Sequence, residues 1–389
     1  MKRIYMDHAA ITPLRPEALE AMLPFYRQEF GNPLSVSSFG DAPRKAMEEA
    51  RKQVADLIGA EPQEIYFTAS GSEANNMALK GVALMHRKRG NHLVVSAIEH
   101  QSVLNAAATL EKLGFEISHV PVDRYGWVDP QAVREAMRDD TILVSVMHAN
   151  NEIGTIEPIA EIAAVVKAGG ALFHSDAVAS VGKIPVNVSE LGVDLLSLSG
   201  SQFYGPVGSA ALYMKRGVRI MPLIDGGIQE GGRRAGTENV PAIVGLGVAA
   251  KLAGEELPER MARLERLRDR LVERLTTENE NVYLTGHPER RLPNHASVCV
   301  EFVEGEAMLL MLNLHGIAAS SGSTCTSKAL KASHVLTAIG VETALAQGSL
   351  VFTLGDSNTL EDVNFVADTL PQVIDRLRAM SPIYPGRAE

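Results

Sequence analysis

Glu64-Ile65-Tyr66-Phe67-Thr68-Ala69-Ser70-Gly71-Ser72-Glu73 passes from a strand-like run through a small, glycine-containing turn into the start of a helix. Glycine lets a backbone approach an anion closely, and a helix N-terminus points free N–H groups at it. Two readings of Gly71 and Ser72 stay open at this level: a phosphate cradle, or a plain strand-to-helix turn. Either way the stretch reads as the first step of an alternating α/β chain.

The same alternation continues to about residue 215. Leu93-Val94-Val95-Ser96, Thr141-Ile142-Leu143-Val144-Ser145, Ala171-Leu172-Phe173-His174-Ser175 and Leu195-Leu196-Ser197-Leu198 are short and mostly apolar throughout. Strands covered on both faces read this way, and helical patterns separate them, so a mainly parallel sheet is expected. Before this region, Asp41 is expected to cap a helix with Pro43 in its first turn. Met47, Ala50, Val54, Leu57 and Ile58 share one face of that helix, and Gly59 ends it. Near Leu257-Pro258 the texture changes to a long Arg- and Glu-rich helix marked by Met261, Leu264, Leu271 and Leu275. We read residues 13–257 as a large domain. Residues 1–12 with 258–389 form a smaller α+β domain.

The 389 residues are 46% hydrophobic and 22% charged, enough apolar material for a sizeable core. A net charge of -10 argues against a nucleic-acid binder. The first residues are too weakly apolar for a signal peptide. The stretch from Pro241 to Gly254 is interrupted by Lys251 and by glycines, so it reads as a buried helix rather than a membrane span. Two cysteines, Cys299 and Cys325, show no CxxC or metal spacing, which fits a cytoplasmic chain without a disulfide framework.

Two further stretches carry chemistry. His174-Ser175-Asp176-Ala177 ends a strand, and Asp176 is either a partner for a protonated ring nitrogen or a loop or cap aspartate. His100 is either a stacking ring or a hydrogen-bonded core histidine. Ser320-Ser321-Gly322-Ser323-Thr324-Cys325-Thr326 is too small and polar to pack a core, so it reads as a loop offering Cys325 to a sulfur donor or a partner thiol; the alternative is an incidental free cysteine.

The order of these pieces resembles the NifS/IscS cysteine desulfurases of the class-V aminotransferase group. The resemblance spans essentially the whole chain. It includes Tyr5-Met6-Asp7-His8-Ala9-Ala10, Phe30-Gly31-Asn32-Pro33, His148-Ala149-Asn150-Asn151-Glu152-Ile153-Gly154, Ser180-Val181-Gly182-Lys183, Tyr204-Gly205-Pro206 and Arg234-Ala235-Gly236-Thr237. It implies a fold type I transferase that binds pyridoxal 5'-phosphate (PLP), in which a large domain with a mainly parallel sheet is joined to a smaller α+β C-terminal domain. It places the cofactor phosphate on Gly71, Ser72, Ser199 and Thr237 of the partner subunit in a homodimer. His100 would lie over the ring, Asp176 at its nitrogen, Asn151 beside ring and substrate, and Cys325 would carry the persulfide.

The pattern breaks inside the pocket. Family members read Ser-Gly-His-Lys where this chain reads Ser199-Gly200-Ser201-Gln202. An amide is not a usable amine nucleophile, so the usual lysine tether is missing at Gln202. Ser201 replaces a phosphate-binding histidine and still offers one hydroxyl donor. Ala179 replaces a glutamine at the cofactor's phenolic oxygen, Val351 replaces the arginine that clamps the substrate carboxylate, Asp356 replaces another arginine, and Ser37 stands where a histidine is expected. The expected protein is therefore a cysteine desulfurase-like member of sulfur and iron–sulfur metabolism with PLP held noncovalently and L-cysteine as candidate substrate. Its partners would be an IscU-type scaffold or another sulfur acceptor, with neither nucleic acid nor membrane involved. The alternatives are a non-catalytic scaffold-docking protein in which Cys325 ligates a transient iron–sulfur cluster, and a PLP-fold binder of some other small molecule.

Overall fold

The computed structural model describes residues 2–322, 332–381 and 384–385. A seven-stranded sheet runs in the order Ile65–Thr68, Ala210–Met214, Leu195–Ser199, Leu172–Asp176, Thr141–Ser145, His92–Ser96, Glu116–Val120. Ala210–Met214 is antiparallel to both of its neighbours, and the remaining pairs are parallel. Successive side chains alternate between faces. Val94, Val144, Phe173, Leu196 and Ala211 enter a core shared with Met47, Val54, Ile58 and Leu246. Leu93, Val95, Leu143, Leu195 and Leu212 enter the opposite core with Met77, Val82, Val103 and Leu110. Burial on both faces is why the central strands carry apolar residues at nearly every position.

The helix Asp41–Ile58 packs its apolar stripe on the first of these cores, and Gly59 ends it at φ 66. Asp41 is not its cap. Gly40 holds that position at the end of a short turn, and the Asp41 carboxylate instead accepts from Arg44 on the next turn. The apolar stretch after Asn239 and the Arg/Glu-rich stretch after Leu257 form one helix, Val240–Thr277, running through Pro258. Its first half packs on the large sheet. Its second half, through Leu264, Leu271 and Leu275, packs on a further core with Val298, Phe352, Val366 and Leu370. That core covers a three-stranded antiparallel sheet of Ser349–Thr353, His295–Val300 and Val282–Leu284. Ile4–Tyr5 pairs in parallel with Ile317–Ala318. Among the described residues no helix is long and apolar enough to cross a membrane.

One buried ion pair fixes the outer strand Ile65–Thr68. Glu230 accepts from both terminal nitrogens of Arg51, at 2.9 and 2.8 Å, and from the Phe67 N–H at 2.8 Å. Arg51 also donates to the Ile65 carbonyl (2.7 Å) and lies over the Phe67 ring. Glu230→Ala strands a buried guanidinium and a buried amide. It should destabilise the protein by about 3–5 kcal/mol, read as a lowered midpoint in urea unfolding at unchanged slope.

Candidate active site

Thr68, Ser96, Ser145, Asp176 and Ser199 are the last residues of strands running in one direction. The loops beyond these carboxyl ends are where an open α/β sheet places ligands. Gly71 opens the helix Gly71–His86, with Ser70 as its cap accepting from the Glu73 N–H at 3.1 Å. The first N–H groups of the helix have no intrahelical acceptor. A Cβ at Gly71 would strike Val178 at 2.6 Å and lie 3.7 Å from the Ser199 Cβ. The cradle, the Ser199 strand end and the turn after Asp176 therefore meet at one point. Ser199 and Ser201 share a hydroxyl hydrogen bond of 3.1 Å, while Ser72 is exposed at the helix start.

Asp176 and His100 belong to one buried chain. Asp176 Oδ2 accepts from the Asn75 amide at 2.6 Å, and its Oδ1 accepts from the Val178 N–H at 3.0 Å. The same Asn75 nitrogen donates to Ser102 Oγ (2.8 Å), which is 2.7 Å from His100 Nδ1. Burial raises the Asp176 carboxyl above the usual range, while the Val178 N–H, the nearby His100 and the Asn75 amide pull it back. His100 is half-buried and caps the helix Gln101–Lys112. Its Nδ1 accepts from the Ser102 N–H (3.1 Å), which leaves Nε2 as the nitrogen able to carry or move a proton. Beneath it Glu99 is fully buried and accepts from Ser96 Oγ and the Met147 N–H, both at 2.6 Å, with burial pushing its carboxyl up to about 8.

Gln202 is 7% exposed, and its amide is engaged at both ends. Nε2 donates to the Ala9 carbonyl at 3.0 Å and more weakly to that of Ala10, and Oε1 accepts from Lys183 Nζ at 3.0 Å. Asn151 is half-buried, and its carbonyl accepts from His295 Nε2 at 2.9 Å. Ala179 and Val351 are buried. Val351 exchanges backbone bonds with Ser320 at the start of the cysteine-bearing stretch. Asp356 does not leave an isolated negative charge, because Arg15, Arg260 and Arg263 all pair with it. Thr237 and Ser37 are exposed. Arg234 anchors the Thr237 segment on Glu73 at 2.8 Å, but no hydrogen bond among the described residues joins Thr237 itself to the cradle. Cys325 lies outside the described residues. Cys299 is buried with its thiol pushed up to about 12, which makes it inert.

Single-chain geometry thus brings together Gly71, Ser199, Ser201, Asp176 and His100, while Gln202, next in the chain to Ser201, turns its side chain to Ala9, Ala10 and Lys183. Sequence reasoning missed Asn75 and Ser102, whose pairing depends on how two helices pack. Lys183 closes the Ser180-Val181-Gly182-Lys183 stretch, and nothing in that stretch signals its contact with Gln202. The donor set suits PLP in two respects: hydroxyls and a helix N-terminus at one end for phosphate, and a buried carboxylate for a ring nitrogen. Residue 202 itself provides no amine.

The comparisons bear on this arrangement. A family model described as Aminotransferase class-V matches residues 4–366. A "Cysteine desulfurase IscS" from Methanosarcina thermophila is 51% identical over 384 residues, covering 99% of this chain and 95% of that protein. One of the same name from Dictyoglomus turgidum is 52% identical over 383 residues, covering 98% and 97%. A solved "NIFS-LIKE PROTEIN" superposes with a TM-score of 0.91 at 38% identity, covering 97% of this chain and all of its own.

Burial pushes the Lys183 amine down from an ordinary value of 10.5 to about 8. The unfolded chain therefore holds this proton more tightly than the folded one. The cost of burying the charge is fully present below about 8 and is relieved as the pH rises from there to 10.5. Lys183→Met removes about 3 kcal/mol of that cost at pH 7 and leaves the Gln202 carbonyl short of a donor, worth about 1 kcal/mol. A net gain of about 2 kcal/mol at pH 7, shrinking by pH 10, should appear in urea unfolding of the ligand-free protein.

Proposed function

Because this chain belongs to the NifS/IscS cysteine desulfurase group of the class-V aminotransferases, we propose that it transfers sulfur from L-cysteine through Cys325, holding PLP by phosphate and ring rather than by a bond from residue 202. The observation that carries this reading is the intact Asp176–Asn75–Ser102–His100 chain beside Gly71, Ser199 and Ser201, next to an amide at 202 with both ends occupied.

When bound, PLP supplies an electron sink for bond breaking at the amino acid. Asp176 would pair with the ring nitrogen; burial raises its carboxyl, and the Val178 N–H, the nearby His100 and the Asn75 amide counter that rise. Gly71 and Ser72 at the helix start, with the Ser199 and Ser201 hydroxyls, would hold the phosphate. His100 presents Nε2 to move a proton, because Ser102 fixes its Nδ1 as an acceptor. Overall, sulfur leaves carbon for the Cys325 thiolate while the carbon gains a proton. L-cysteine and the thiol become L-alanine and a persulfide, with no outside oxidant. The acceptor would be an IscU-type scaffold or another sulfur-accepting protein, and Thr237 of the partner subunit would complete the phosphate site in a homodimer.

A second reading has its own support. Val351 is buried where a carboxylate-binding arginine is expected, and the neighbouring arginines are occupied by Asp356. Among the described residues no cation is thereby offered to a substrate carboxylate at that point. This favours a non-catalytic scaffold-docking role in which Cys325 ligates a nascent cluster.

With added PLP, purified protein should form alanine from L-cysteine faster than PLP alone. Cys325→Ser should abolish persulfide transfer to the acceptor while PLP retention is unchanged. A rate equal to PLP alone, together with stable scaffold binding, would select the second reading. Equal transfer by the serine variant would remove Cys325 from both.

A further inference from the structure

Lys183 is a buried titratable group that the steps above leave unused. It is 9% exposed and sits on a tight turn in which its N–H donates to the Ser180 carbonyl at 2.9 Å. Gly182 makes the turn at φ 75, where a Cβ would strike the Phe203 Cβ at 2.5 Å. Arg260 braces the turn from outside, donating to the Gly182 carbonyl at 3.4 Å and pairing with Asp356 at 3.1 Å. Among the described residues no carboxylate pairs with Lys183, and the side-chain partner of its Nζ is Gln202 Oε1 at 3.0 Å. A glutamine side chain ends one atom short of lysine. An amine in hydrogen-bond contact with the tip of Gln202 therefore stands close to where the amine of a lysine at that position would end, though it arrives from the adjacent turn.

We propose that Lys183 supplies the amine that residue 202 has lost, linking covalently to the aldehyde of PLP while the Gln202 carboxamide orients it. This rests on the reading that PLP binds here, and it replaces noncovalent retention with a tether from a different residue. The unprotonated Nζ attacks the aldehyde carbon. A carbon–nitrogen double bond replaces the carbon–oxygen one, and the oxygen leaves as water with the two amine protons. The step is a condensation and needs no redox partner. Desolvation in a pocket without a counter-charge is a recognised way to make a lysine nucleophilic, and the free base of an amine held near 8 is accessible at neutral pH. Its surroundings agree. His8 and His295, both within electrostatic reach of Lys183, are pushed down by burial to about 4 and about 3, so both are neutral. His295 also holds the backbone carbonyl of Asn151, the residue expected beside ring and substrate. The Asp356 and Gln202 departures from the family pattern are joined through Arg260 and this one turn.

The test uses the full-length protein, stripped of ligand and titrated with PLP. Retention is measured by ultrafiltration and absorbance, followed by sodium borohydride reduction and peptide mass mapping. The expected result is a reduced adduct on the peptide containing Lys183, stoichiometric with retained PLP and accompanied by a visible band lost on reduction. Lys183→Arg should keep PLP at several-fold weaker affinity with no adduct. Gln202→Lys should move the adduct to position 202. PLP retained with no adduct on Lys183, or with adducts scattered over other lysines, overturns the proposal and leaves PLP binding standing. Failure to retain PLP at all removes the underlying reading as well. The wild-type map decides the matter even if a variant misfolds.

Discussion

The Gln202 amide ties together three pieces that the chain keeps far apart. Its nitrogen donates to the Ala9 and Ala10 carbonyls, and its oxygen receives the Lys183 amine. A lysine at this position could not accept from another ammonium, so the amide allows two long polar side chains to share a buried corner without like-charge repulsion. The residues around that corner follow from this. His8 and His295 are neutral, Lys183 is held below its ordinary value, and the arginines nearby are drawn off by Asp356 and Glu256. Among the described residues the corner thus holds an amine without a fixed counter-ion.

The frame that holds this corner is ordinary α/β physics. Strands buried on both faces put their carboxyl ends at one edge, and there the cradle, the Asp176 turn and the Ser199 strand end converge. The helix Val240–Thr277 carries this edge to the second sheet, because its apolar stripe serves one core and then the other. Tyr204 sits at that junction with φ 68 and its ring under Arg15 and Arg260, while its hydroxyl accepts from the Asp356 N–H.

Much of this was legible in the sequence. Four central strands were recoverable to within a residue or so, because two-sided burial writes itself as continuous apolar runs, and the outer strand Ile65–Thr68 was legible beside them because three of its four residues are buried. Glu116–Val120, the other edge strand, escaped because only Val120 is buried and Glu116, Ser118 and His119 break the apolar run. The antiparallel direction of Ala210–Met214 depends on a short return after Gln202 that no periodicity encodes. The cradle and Asp176 were readable as alternatives that only their order resolved into a family resemblance. Asn75 and Ser102 were not readable, since a hydrogen bond between two helices is set by their packing. Lys183 lies nineteen residues from Gln202 in the chain, and nothing in the local sequence says that the two side chains touch.

The strand Ile4–Tyr5 has a consequence for how the pocket comes into being. It pairs with Ile317–Ala318, and the residues just after it bond to Gln202 and Thr353. Contacts this remote in sequence are slow to close. During synthesis the segment emerges ahead of everything it must bind, so it waits while the large sheet assembles. The pairings of this segment with Gln202, Ile317–Ala318 and Thr353 thus make the corner of the pocket depend on residues from both ends of the chain.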